Sequence, residues 1–358
     1  MTWYNSSWRY RQKITIDHTK VDANLSDFPV LITEANIDSK IFDHAKDAGA
    51  DIRITQSDGV TELPREIELF DKVNHKMAIW VKSDLSSISD TILYIYYGNA
   101  EASEPARDST YGLENVWDDN FVLVQHLHEK SGTHYDSTQY HNNGIPNGGV
   151  TQDAQGQING ADEFDGADDY VEVSNSPSLN ITDAITIEAW VKPDDVTGFI
   201  GLINRNQYGN DWLIDIVNSR MRFVIDQNWS TDDDRYSTAG SITVGQWQYW
   251  VITWQGLIKQ LIFYKNGNQD MTYTTASNAI PLHEDSLVIG KRKELKFFNG
   301  LIDEVRISNI VRSPEYISTL YNNLKNPDTF YSVGSEEASG QPIHLRRRGR
   351  ILSFGGIR

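Results

Sequence analysis

Short stretches in which apolar and polar residues take turns recur along most of this chain and commit it to β-structure. Phe164–Val173, Ile185–Pro193 and Asn299–Asn309 read this way, each bordered by Gly, Pro, Asn or Asp. Period-two alternation sends one set of side chains into a core and the other towards solvent. The 10 Trp, 17 Tyr and 12 Phe supply ring volume suited to pleated surfaces. At 358 residues the chain exceeds one ordinary domain and calls for two.

The first region runs from about Trp3 to Asn99. Strands are expected at Arg9–Ile16, Phe28–Ile32, Asp51–Thr55, Lys76–Val81 and Thr91–Tyr97, separated by Asp58-Gly59, Gly49 and polar clusters. Strands at such short spacing, with no long helical pattern, predict a small all-β sandwich. Trp8-Arg-Tyr-Arg11, Phe28-Pro-Val30, Trp80-Val81 and Tyr96-Tyr-Gly-Asn99 are similar to a bacterial and archaeal surface-protein domain of unassigned function. That resemblance covers nearly the whole first region. It implies an exterior location and brings no active site.

Residues from about Ala100 to Glu114 read as a linker. Beyond it, strands are expected at Phe121–Glu129, at the three segments named first, and at Trp212–Ile216, Met221–Ile225, Trp247–Trp254, Leu261–Lys265 and Leu287–Gly290. Asn266-Gly267 signals a type I′ hairpin turn. Ser313 as N-cap, Pro314 in the first helical position, and Ile317, Leu320, Tyr321 and Leu324 at helical spacing predict one short helix. From about Trp117 to Gly334 the order of these segments resembles a laminin-G-like jelly roll of the concanavalin A type. The expected fold is all-β, two tandem β-sandwiches with a C-terminal helix and a basic tail. The expected units are 1–105, 106–335 and 336–358.

Net charge is −18, unevenly spread. Ser339–Arg358 hold five Arg and no acid, so 27 basic residues face 50 acidic ones in the rest, a net −23. An acidic body repels nucleic acid and anionic membranes, and no apolar stretch reaches the roughly 20 residues that cross a bilayer. The N-terminus shows no basic-then-apolar leader. Zero Cys removes disulfides and thiolate metal sites. Arg346, Arg347, Arg348, Arg350 and Phe354 make the tail basic and apolar together, the composition of an assembly peptide that docks as an added strand on another subunit.

Glycoside hydrolysis needs two carboxylates flanking one bond, and jelly-roll glucanases carry theirs as Glu-x-Asp-x-x-Glu, a pattern missing here. Asp215 sits among apolar residues, Glu188 lies alone, and adjacent Asp303 and Glu304 are expected on opposite faces of their strand. No catalytic residue is assigned. His126 and His128, with His134 and His141 nearby, have spacing that permits a transition-metal site; surface or packing roles are the alternative. Calcium takes oxygen ligands, and the laminin-G-like resemblance implies a structural calcium held by Asp136, Asn142, Gly144, Asp165 and Asp303. These residues otherwise serve as turn caps. Tyr208, Asp211 and Trp229 lie in loops with the aromatic and polar composition of a glycan site. The expected function is a non-enzymatic, extracellular binding or structural protein with a lectin-like domain. A virion surface component (tail fibre, spike or capsid decoration) is the first reading, a cell-surface carbohydrate-binding adhesin the second, and a glycoside hydrolase or accessory module the third. Expected partners are a glycan or receptor and further subunits of an oligomer.

Overall fold

A computed structural model describes residues 3–205, 211–225, 233–292 and 296–340. Among these, four antiparallel sheets of three or more strands lie one behind another, and a two-stranded ribbon pairs Lys291–Arg292 with Lys296–Phe297. Sheet I has the order Tyr331–Val333, Tyr10–Ile16, Thr91–Tyr97, Arg53–Thr55, Glu62–Leu63, with Glu337–Ala338 also paired to Tyr10–Ile16. Sheet II is Leu25–Thr33, Lys76–Leu85, Arg65–Asp71. Sheet III runs Thr151–Gln155, Gly160–Asp165, Asn299–Ser308, Ala184–Pro193, Gln248–Gln255, Gln260–Lys265, Asn268–Thr274, and Phe121–Gln125 also pairs with Asn299–Ser308. Sheet IV runs Asp234–Tyr236, Met221–Ile225, Trp212–Val217, Phe199–Asn204, Leu287–Ile289, Tyr170–Val173, Gly144–Asn147.

Alternation explains the layering. Ile187, Ala189 and Val191 of sheet III meet Ile214, Ile216 and Phe223 of sheet IV in one buried cluster. Ile14, Ile54 and Ile95 of sheet I meet Val30, Ile32 and Val81 of sheet II in a second. The same cluster continues to Trp80, Trp117, Trp190 and Tyr249, so the remaining faces of sheets II and III are buried against each other. The expected fold class holds, as do most expected strands.

Four local differences have physical causes. Phe164–Val173 is two strands: Asp165 Oδ1 accepts from the Ala167 N–H, Gly166 adopts φ 77°, and the chain crosses from sheet III to sheet IV. The expected Phe121–Glu129 strand ends at Gln125, with Leu127 at φ 57°. Arg65–Asp71 is a strand that the sequence reading did not propose. The segment 100–114 lies against the first sandwich, held by the Arg65 fork on Glu104 (2.6 and 2.9 Å) and by Lys46 and Arg53 donating to the carbonyls of Ala102 and Ser103.

The chain also returns on itself. Chain order groups 331–335 with the second region, yet Tyr331, Ser332 and Val333 pair with Ile16, Thr15 and Ile14 and form the edge of sheet I. The predicted helix is present as Pro314–Lys325, with Ser313 Oγ accepting from the Tyr316 N–H. Its Asn323 carboxamide accepts from the Leu31 N–H (2.7 Å) and donates to the Leu31 carbonyl (2.9 Å), pairing an edge-strand residue as another strand would.

Candidate functional site

Functional groups concentrate on the outer face of sheet IV and in the layer between sheets II and III. On sheet IV, Ile214, Ile216, Met221 and Phe223 turn inward, which by period two turns Asp215 and Arg222 outward as cross-strand partners. Arg222 Nε donates to Asp215 Oδ1 at 2.7 Å, Arg292 Nη1 stands 3.1 Å from Asp215 Oδ2, and Arg222 also reaches Asp234 at 3.2 Å. Burial pushes the Asp215 carboxyl above its ordinary range, opposed by the two arginines. Both guanidinium groups lie over the Phe199 ring, at 5.0 and 5.2 Å, and Phe199 is 45% exposed. Arg220 covers Tyr236 at 4.7 Å. An open aromatic ring beside the partly exposed Arg292, with Arg222 buried and committed to Asp215 and Asp234, can stack on a flat ring face and hydrogen-bond a hydroxyl or carboxylate group through Arg292.

The second concentration is buried. Glu66 and Glu68 of sheet II, at a register shift, both reach the face turned to sheet III: Glu66 accepts from Trp117 Nε1, Glu68 from Trp80 Nε1, and both carboxylates approach His126. From sheet III come Glu188, Asp303, Glu304 and Arg306, and His126 directly follows its strand Phe121–Gln125. Glu304 adopts φ 56° where the pairing with Ala184–Pro193 shifts register, a bulge that turns Asp303 and Glu304 towards the same side. This overturns the expectation that the two face opposite sides. Nor is Glu188 alone: it accepts from the Tyr249 hydroxyl and lies 4.0 Å from Arg306.

His126 Nδ1 stands 2.7 Å from Glu304 Oε1 and 3.5 Å from Glu68 Oε2, while Nε2 faces Glu66 Oε2 at 3.4 Å. Burial disfavours the charged ring, but Glu304, Glu66 and Glu68 outweigh it and hold the imidazole well above its usual pKa. Burial drives Asp303 far upward, with Glu304 and Glu68 adding to it, and drives Glu68 and Glu188 upward as well. Burial acts the same way on Glu66 and Glu304, but the His126 charge and their hydrogen bonds hold both below the usual range. With Glu188, Glu304 and Arg306 all at 1% exposure or less, a polysaccharide has no access to this layer. It is no glycosidase cleft.

The residues expected to hold calcium do not form one coordination shell. Asp136 is buried and already accepts from the Val124, Thr138 and Asn142 N–H groups and the Thr138 hydroxyl. Asn142 spends its carboxamide on the Val122 carbonyl, Ser178 and Ser176, and Gly144 exchanges backbone bonds with His134. Asp165 pairs with Asn299, four residues from Asp303, a separation of about 13 Å at ~3.3 Å per residue. Asp165 instead gathers with Asp168 and Asp169. Of the four expected histidines, His126 and His128 approach to 5.9 Å, while His134 sits between Glu129 and Asp162, and His141 pairs with Glu114. Asp211 is buried beside Arg205 and accepts from the Trp212 N–H; burial raises its pKa to about 7. Tyr208 and Trp229 lie outside the described residues, as do Arg346, Arg347, Arg348, Arg350 and Phe354.

Sequence reasoning missed Glu66, Glu68, Phe199, Arg222 and Arg292. The Glu-x-Glu alternation in Arg65–Asp71 was a strand signal for the first two; nothing local marked the others.

Comparison with known proteins agrees with this architecture. Residues 165–318 match the family model of the concanavalin A-like lectin/glucanases superfamily, laminin-G type. Residues 48–143 match a domain of unknown function, DUF2341, and that match continues past the 100–114 segment into strand Phe121–Gln125. A laminin-G-like unit thus follows a domain of unassigned function. No curated protein matches the sequence. Among solved structures, the binding domain of paraclostridial mosquitocidal protein 1 is similar at 16% identity and a TM-score of 0.50, over 57% of this chain and 52% of that one. The binding domain of botulinum neurotoxin DC follows, with rat synaptotagmin II (16%, TM-score 0.49) and with SialylT (16%, TM-score 0.47), each over 57% of this chain and 52% of the other. The chain spans about half the length of these structures, and at such identity the likeness is one of fold.

Proposed function

We propose that this chain is a non-enzymatic, lectin-like binding protein of an exterior surface, a virion surface in the first instance, that grips glycans on the outer face of sheet IV. The observation that carries this reading is the exposed Phe199 ring between Arg222 and Arg292, both anchored by buried Asp215. Such a surface needs no rearrangement to present a stacking face beside the partly exposed Arg292 guanidinium, which lowers the ordering cost of binding a flexible sugar. No helix among the described residues is long and apolar enough to cross a membrane.

Glycan-array screening of the full chain, repeated with Phe199→Ala, tests the reading. Binding to a defined glycan class that falls roughly two- to tenfold in the variant is expected, since one stacked ring contributes about 0.5–1.5 kcal/mol. An array with no signal, or one unchanged by Phe199→Ala, rejects this face as the site.

A further inference from the structure

The layer between sheets II and III holds more carboxyl groups than cationic ones. Five carboxyl groups, those of Glu66, Glu68, Glu188, Asp303 and Glu304, are buried with His126 and Arg306. Arg312 nearby is taken up by Asp118, at 2.9 Å and through a second short contact. Buried unpaired carboxylates are strongly disfavoured unless protonated, paired or bound to a metal. Three of the acidic groups also leave oxygens without a hydrogen-bond partner in the protein: Glu68 Oε1, Glu188 Oε1 and Asp303 Oδ1.

The arrangement around His126 has a recognisable chemical form. Its Nδ1 points between carboxylate oxygens from two different sheets, Glu68 Oε2 and Glu304 Oε1, and one ligand atom from each of these three residues lies within 4.8 Å of the others. Its Nε2 faces Glu66, whose carboxylate is itself fixed by Trp117 Nε1 (2.8 Å) and Ser137 Oγ (2.6 Å). A metal-bound histidine usually gives its second ring N–H to a carboxylate held in this way. One imidazole nitrogen with two or three carboxylate oxygens is a zinc-type donor set, at about 2.0–2.2 Å per bond. Access exists as well: a half-open cavity of about 520 Å³, lined by Glu68, His128, Glu129, Asp71 and Asp153, reaches Glu68 from the surface.

We propose that Glu68, His126 and Glu304, with Asp303 beside them, bind a first-row divalent cation, zinc by donor set, and that this ion ties the first sandwich to the laminin-G-like unit. The ion belongs to neither unit alone. Glu68 comes from one side of the interface, and His126, Glu304 and Asp303 from the other.

The full chain, treated with chelator and dialysed, is titrated by calorimetry with zinc, calcium and magnesium chloride in turn. About one equivalent of zinc is expected, with much weaker uptake of the other two and a raised melting temperature. Glu68→Gln keeps the side chain's shape and removes a ligand charge, so it should lower zinc affinity at least as much as Glu66→Gln, for which a loss of roughly 10–100-fold is expected. Glu129→Gln, in the cavity wall, serves as the control and should bind as the parent does. X-ray absorption at the zinc edge on the parent protein, which requires no variant to fold, should show nitrogen and oxygen neighbours only. Zinc uptake below a tenth of an equivalent overturns the proposal and leaves protons to neutralise the layer. So does uptake that Glu68→Gln and Glu66→Gln leave unchanged.

Discussion

Replacing His134 with Gln should remove a large, pH-dependent part of the stability. The ring is fully buried, with Nδ1 2.8 Å from Glu129 Oε2 and Nε2 2.8 Å from Asp162 Oδ2. Burial alone would favour the neutral ring, but the two carboxylates prevail and lift its pKa from 6.5 to about 9. A cationic group with a raised folded-state pKa contributes stability that is complete below its unfolded value. That contribution disappears as pH rises through the folded value. The window is therefore pH 6.5 to 9, and the gap, at about 1.36 kcal/mol per pH unit, is worth roughly 3 kcal/mol. Urea unfolding of the parent and of His134→Gln at half-unit steps from pH 6 to pH 10 measures the difference directly. The parent should lose about 3 kcal/mol more than the variant over that range, and its His134 ring signal should titrate near pH 9. Parallel stability curves for the two proteins would show that the ring is neutral in the fold and would refute the reasoning. The acid side has the opposite sign. Burial acts to raise the Glu129 carboxyl, but bonds from His134 and the Tyr135 N–H bring it down to about 2, so its share is present above pH 4.5 and vanishes as pH falls through 2.

Two further substitutions probe how the chain closes. Asn323→Ala strips both partners from the buried Leu31 backbone and should cost about 2–6 kcal/mol, at roughly 1–3 kcal/mol per orphaned group; a loss below 1 kcal/mol in urea unfolding would mean water replaces the carboxamide. Gly267→Val forces a β-branched residue to φ 76° with its Cβ 3.0 Å from Tyr321, so a destabilisation of about 1–3 kcal/mol or more is expected, and thermal melting that stays at the parent temperature would contradict it.

Local chemistry wrote some features into the sequence. Asn266 at φ 50° and Gly267 at φ 76° form the left-handed pair that a type I′ turn requires, and Ser313 with Pro314 starts the helix where capping rules place it. Strands such as Ile185–Pro193 were legible for the same reason: pleat geometry fixes side-chain direction two residues at a time. Signals longer than a turn were harder to read. The Asx turn after Asp165 divides an apparently continuous strand between two sheets, and the bulge at Glu304 reverses the face expected for one carboxylate. The calcium expectation assembled residues that suit turns equally well, and Asp136 shows why, since its carboxylate accepts from turn and strand N–H groups and a neighbouring hydroxyl.

Alternation alone established that this chain builds two-faced sheets, because a side chain's face depends only on its place in the pleat. It could not say what covers each face. Glu66, Glu68, Glu188 and Arg306 occupy polar positions that a single sandwich would turn to water. The tertiary structure places a second sheet over them instead and threads residues 331–338 back onto the first strand. Whether a polar face becomes solvated surface or a buried charged layer depends on contacts between segments more than 100 residues apart, such as His126 with Glu304, and no local pattern encodes those.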